Sequence, residues 1–119
     1  MNSTKGFMME NGNLYPVASR ELNDKKANLS PKNIEAWRNF SKTVFEDGEL
    51  PEKIKQLIAV AVAHVTQCPY CIRSHTRTAI RRGATKKEIM EAIWIAAEMR
   101  AGAAYAHATL AMDEMENIR

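Results

Sequence analysis

This chain lacks most of what marks a membrane, secreted or nucleic-acid-binding protein. Its longest uninterrupted apolar run, residues 57–63, is far short of the roughly 20 residues that span a bilayer. Residues 1–15 carry asparagine, glycine and charges, with no apolar stretch of the kind a signal peptide needs. Charge of one sign is scarce. The net charge of +3 and a pI near 9.0 do not by themselves argue for nucleic acid, and no aromatic residues interleave the basic ones. No apolar–polar alternation marks a strand, and no segment repeats. Cysteine is limited to two residues, Cys68 and Cys71. The expected location is cytoplasmic, where a close cysteine pair points to catalysis or metal binding sooner than to a structural staple.

What is present reads as helix. The 119 residues fit one domain, with 45% hydrophobic and 26% charged residues, as in an ordinary globular protein. Residues 1–17 show no periodicity and read as an arm; Ser19 can cap a short helix over residues 19–26. Residues 1–29 are therefore set apart as an arm with a short helix, and residues 30–119 as a helical domain. Ser30-Pro31 is a helix start, an N-cap serine followed by proline. The helix it opens carries a stripe of Ile34, Trp37, Phe40, Ser41, Val44 and Phe45, and Asp47-Gly48 ends it. Pro51 opens the next, with Ile54, Leu57, Ile58, Ala61 and Val65 as its expected core stripe. Gln67-Cys68-Pro69 breaks that helix and starts another over residues 69–82, stopped by Gly83. Thr85 with Glu88 forms a capping box. A kink or junction is expected at residues 101–104, before a last alanine-rich helix over residues 103–114.

Two of these helices, those after Pro51 and Thr85, are apolar nearly all round in their middles. A monomer of this size has too few partners to cover them on every side. The expected fold class is all-α, a single-domain helical bundle in a homo-oligomer; the alternative is that alanine fills these faces inside a monomer.

The chemistry concentrates at Cys68, Pro69, Tyr70, Cys71 and His75. With Cys68 as N-cap, both sulfurs stand at a helix N-terminus, where free N–H groups and the macrodipole favour an anion. A thiol there falls from a pKa of about 8.5 towards the range of about 3.5 to 7.5. His75, four residues after Cys71, shares its stripe and can accept the thiol proton or return one to a leaving oxygen. That arrangement suits a peroxidase: Cys71 attacks the O–O bond, Cys68 condenses with the sulfenic acid, and an external dithiol reduces the pair. Two other readings stand beside it. His64, Cys68, Cys71 and His75 have the spacing of four zinc-type ligands, although one helix would have to carry three of them. The thiols could also be unreactive core residues.

The segments Ile54-Lys55-Gln56-Leu57-Ile58-Ala59-Val60-Ala61-Val62-Ala63, Cys68-Pro69-Tyr70-Cys71-Ile72-Arg73-Ser74-His75-Thr76, Arg82-Gly83-Ala84-Thr85 and Glu88-Ile89 resemble the carboxymuconolactone decarboxylase superfamily. Within it they resemble the AhpD-like alkylhydroperoxidase branch. The resemblance implies an all-helical fold, trimers or hexamers, and hydroperoxide reduction with Cys71 peroxidatic and Cys68 resolving. It also implies a dithiol reductant that can be a lipoyl-bearing protein. No cofactor or resident metal is required. The decarboxylase branch lacks the cysteine pair, so lactone decarboxylation with incidental thiols is an alternative, as is a non-catalytic zinc-binding or redox-sensing module.

The chain departs from the pattern at Gln56, where the family usually has a relay glutamate; an amide can hold a hydrogen-bond network but cannot take a proton. Tyr70 occupies the position that can be histidine in the family. His64 lies about 80° around its helix from Gln56 and could take over part of the proton relay, or could be bonded to backbone. Arg73, Arg77, Arg81, Arg82, Lys86 and Lys87 read as a solvated face or a surface for an anionic partner. Trp37 and Trp94 are expected in the core or an interface, and Tyr105 and His107 in packing. Met8 and Met9 have no assignable role.

Overall fold

Serine and proline set the first helix boundaries. The computed structural model describes residues 14–118; residues 1–13 of the expected arm, Met8 and Met9 included, lie outside the described residues. The chain divides into two compact units, Met1–Lys42 and Thr43–Arg119. In the first, Ser19 Oγ accepts the Leu22 N–H at 3.2 Å and caps α1, Arg20–Leu29. This helix runs on past residue 26, where the sequence reading ended it. Ser30 closes α1 through an N–H to Ala27 and offers its own carbonyl to the Ile34 N–H, so it also opens α2, Pro31–Phe45. Neither helix buries a residue. The Trp37 and Phe40 rings lie 5.9 Å apart, and Trp37 is 60% exposed.

In the second unit, α3 spans Glu52–Thr66, with Pro51 as N-cap. Asp47 supplies the cap that proline cannot, its Oδ1 accepting the Glu52 N–H at 2.6 Å. α3 ends at Gln67, which adopts the left-handed conformation (φ 58°, ψ 50°). The N–H groups of Gln67 and Cys68 both go to the Ala63 carbonyl. Cys68 is extended, as a residue before proline must be, and α4 follows as Pro69–Arg81. Gly83, at φ 95°, turns the chain again. The capping box then starts α5, Lys86–Glu116: Thr85 Oγ1 accepts the Glu88 N–H at 3.0 Å, and Glu88 Oε1 accepts the Thr85 N–H at 2.9 Å. That bond to Thr85, followed by Lys53, holds the Glu88 carboxyl below the usual carboxylate range.

α3 is the central element of this unit, packed against both α4 and α5, which touch each other only slightly. Val60, Ala79, Ala84 and Ile89 form the core, with Leu57 and Ile93 against it. Arg82 Nε reaches Glu52 at 2.8 Å, and Lys53 reaches Glu88 at 3.0 Å, tying both neighbours to the first turn of α3.

Two expectations are corrected. The buried face of α3 is Gln56, Val60 and Ala63, whereas Ile54, Ile58 and Val65 are exposed. A helix apolar all round carries no periodic signal to say which face turns inward. The expected kink at residues 101–104 is absent, and α5 runs unbroken through Gly102. One glycine costs a helix only about 1 kcal/mol, and the alanines around it are the strongest helix formers.

The two glycines should respond oppositely to alanine. A Cβ at Gly83 meets nothing within 4 Å, so Gly83→Ala carries only the left-handed backbone penalty and should destabilise by roughly 1 kcal/mol. Gly102→Ala meets only the flexible end of Glu98 and should stabilise by about 0.5–1 kcal/mol. Urea melts of the two variants check both signs.

Candidate active site

Cys68 is the N-cap of α4, and Cys71 is its third residue. The Cys68 Sγ accepts the Cys71 N–H at 3.2 Å, so one sulfur already satisfies an end-of-helix donor. The two cysteines form a disulfide across Cα atoms 5.2 Å apart. Both are half-buried. Sulfur is thereby held where backbone N–H groups and the helix dipole would stabilise a thiolate once the bond is reduced.

His75 follows one turn later on α4. Its Nδ1 lies 2.8 Å from Gln56 Oε1 on α3. An amide carbonyl oxygen only accepts, so Nδ1 donates and Nε2 carries the lone pair. Gln56 is 4% exposed and sits on the buried face of α3. The Phe45 ring stacks on the imidazole, with centroids 5.1 Å apart and planes 29° from parallel. Burial pushes the His75 pKa below its ordinary value, because desolvation penalises the imidazolium.

Cys71, His75 and Phe45 border a cavity of about 440 Å³, also lined by Val44, Lys55, Ile58, Ala59, Val62, Ala63 and Thr66. Its wall is largely apolar. Lys55 Nζ donates to the Val44 carbonyl at 2.8 Å and to the Glu46 carbonyl at 2.6 Å, satisfying acceptors left at the end of α2.

The sequence-derived candidates do not all converge. Cys71 and His75 meet on the cavity wall, and Gln56 reaches it through His75. Cys68 stands behind Cys71, joined to it. His64 donates Nδ1–H to the Val60 carbonyl at 2.8 Å and is not among the described residues that line the cavity. Tyr70 is exposed and is likewise absent from that lining, as is Tyr105. Among the described residues, no group of three or more His, Cys, Asp or Glu is placed to hold a metal ion. Sequence reasoning missed the Phe45 and Lys55 contributions. Phe45 read as one more stripe residue, and its contact with His75 depends on how the end of α2 lies within the second unit.

A model of the carboxymuconolactone decarboxylase family matches residues 31–114, and the chain belongs to that family. An uncharacterized protein of the cox locus of Paracoccus denitrificans is 62% identical over 84 residues, covering 71% of this chain and 76% of that one. A carboxymuconolactone decarboxylase family protein from Legionella pneumophila, solved without ligand, superposes with a TM-score of 0.65 at 30% identity, over 81% of this chain and 86% of that one. A family member from Thermotoga maritima, whose description raises the possibility of involvement in an antioxidative response, gives a TM-score of 0.51 at 26% identity, over 69% of this chain and 94% of that one. No described helix is long and apolar enough to cross a membrane.

The depressed His75 pKa fixes the sign of a pH effect. The folded protein holds this ring neutral more readily than the unfolded chain does, so His75 removes stability as pH falls below the ordinary value of about 6.5. An NMR titration of the His75 ring in the disulfide form should show a midpoint below 6.5; a midpoint at or above it would mean that a cation-stabilising partner outweighs burial.

Proposed function

We propose that this protein is a thiol-dependent hydroperoxide reductase of the AhpD-like, peroxiredoxin-type kind. Cys71 is the peroxidatic residue, Cys68 the resolving residue and His75 the proton carrier. The observation that carries this reading is that Cys71, the cysteine on the cavity wall, is joined to Cys68 and shares that wall with His75. The family membership and the Thermotoga relative point the same way.

In the reduced protein, His75 takes the Cys71 proton. The thiolate attacks the terminal oxygen of the hydroperoxide, an S–O bond forms, and the O–O bond breaks. Sulfur loses two electrons, and the leaving alkoxide takes the proton back from His75 as an alcohol. Cys68 thiol then displaces hydroxide from the sulfenic acid, giving the disulfide and water. A dithiol, such as a lipoyl group carried on a partner protein, reduces the disulfide and becomes a disulfide itself. The apolar wall favours an organic hydroperoxide. A cycle reset by dithiols suits a reducing compartment, so we place the protein in the cytoplasm.

The single chain has a small core, and a second copy is the natural cover for what it leaves out. Among the described residues, four of the six buried apolar ones are alanine: Ala63, Ala79, Ala84 and Ala96, beside Val60 and Ile89. Trp94 is 68% exposed, and Ile95, Met99, Leu110 and Met112 on the same helix α5 are also exposed. Exposed apolar surface of this extent marks an association face. We therefore include a homo-oligomer, a trimer or hexamer, in the proposal.

Peroxide consumption with a dithiol present tests the chemistry. Cys71→Ser should reduce turnover to background. Without a dithiol, Cys68→Ser should consume one equivalent of peroxide per chain and leave a sulfenic acid that a dione probe traps. Unchanged turnover in Cys71→Ser, or lactone decarboxylation that survives both substitutions, would overturn the reading. Light scattering should give a multiple of the 13.4 kDa chain mass, and a monomer at micromolar concentration would remove the oligomer from the proposal.

A further inference from the structure

We infer that Gln56 is a positioning residue: its amide oxygen keeps the His75 proton on Nδ1 and so leaves Nε2 as the base that serves the cavity. The inference concerns the ring itself, and its consequence for turnover rests on the peroxidase reading above.

The geometry is specific. The Gln56 Oε1 to His75 Nδ1 contact is 2.8 Å, between a buried amide on α3 and a ring that lines the cavity from α4. Stacking on Phe45 holds the ring plane. No buried side-chain nitrogen or oxygen among the described residues lacks a partner, and the ring that Gln56 engages through Nδ1 lines the cavity. Presented the other way round, the amide would offer its NH2 to Nδ1 and force the proton onto Nε2. The ring would then have no lone pair to offer.

An amide at this position also differs from a carboxylate in charge. Both accept from Nδ1–H, but only a carboxylate stabilises the imidazolium, typically raising a histidine pKa by about 1–3 units at such a distance. The ionisable neighbours that share the cavity are the Lys55 ammonium from α3 and the Cys71 sulfur on α4; Val44 and Phe45, from the end of α2, carry no charge. None of these is an anion while the disulfide is closed. Gln56 thus keeps His75 a neutral base with its proton on the far nitrogen. One proton is enough for the whole step. It passes from the Cys71 thiol to Nε2, and from Nε2 to the leaving alkoxide. Thiol and hydroperoxide become sulfenic acid and alcohol with no proton gained or lost, and no second acid behind His75 is needed.

The test is nitrogen-15 NMR of the histidine rings in the oxidised wild-type protein, above the His75 titration. The expected result is a protonated Nδ1 and an unprotonated Nε2 for His75. A proton on Nε2 overturns the inference. Two variants add a functional readout. Gln56→Glu should keep the Nδ1–H tautomer but move the His75 midpoint, and with it the acid limb of peroxide consumption, upward by about 1–3 pH units. Gln56→Leu should lose the fixed tautomer, with a lower rate that Gln56→Glu restores at higher pH. An unmoved midpoint in Gln56→Glu would mean that Gln56 only fills space. The expected tautomer without peroxide consumption would leave the Gln56 role standing and overturn the peroxidase reading instead.

Discussion

The reversal of the chain at Gln67, Cys68 and Pro69 is the constraint on which the rest of the site depends. Gln67 takes a left-handed conformation that ends α3, Cys68 takes the extended conformation that proline demands, and Pro69 begins α4 at once. Within three residues the chain turns back, and the start of α4 lies beside the end of α3. The sulfurs sit at a helix N-terminus because the turn ends there. His75 meets Gln56 because α4 runs back along α3. Had the break come one residue later, α4 would start in a different register, and another side chain would occupy the place opposite Gln56.

The same reversal explains the division between packing and chemistry. α3 presents Val60 to the core and Gln56, one turn earlier on the same face, to His75. A buried glutamine is costly unless its polar atoms are engaged, and the imidazole engages it. Burial desolvates His75 and favours its neutral form, while the helix start favours a thiolate on Cys71. The two effects act on adjacent turns of one helix and have opposite signs. On the proposed reading, they would set a neutral base beside a sulfur whose thiolate the helix start favours. Apolar residues of α3 line one side of the cavity, and the Phe45 ring stacks on the imidazole.

How much of this was legible depended on whether the signal was local. Ser19, Ser30-Pro31, Thr85 with Glu88, and Gly83 each act within a few residues, and the helix boundaries follow them closely. Cys68 as N-cap, with Cys71 as the third residue of α4, followed from proline at position 69 alone. The face of α3 was not legible, because apolar residues surround that helix and burial is settled by what packs on it. His64 shows the same limit. Helical angle put it near Gln56, but its ring bonds to the Val60 carbonyl one turn back on its own helix. Gly102 misled in the opposite direction, since a local weakness in α5 is outweighed by the alanines around it.

The sequence by itself determined the all-helical class, the helix starts, and the pairing of two sulfurs with an imidazole on one short helix. These follow from caps, proline geometry and spacing, which operate over one or two turns of chain. Only the tertiary structure decided that Gln56 holds His75, that Phe45 stacks on it, and that Cys71 rather than Cys68 borders the cavity. Those contacts join residues distant in sequence. They are selected by the packing of whole helices against one another, a sum over many weak contacts that no single stretch of residues encodes.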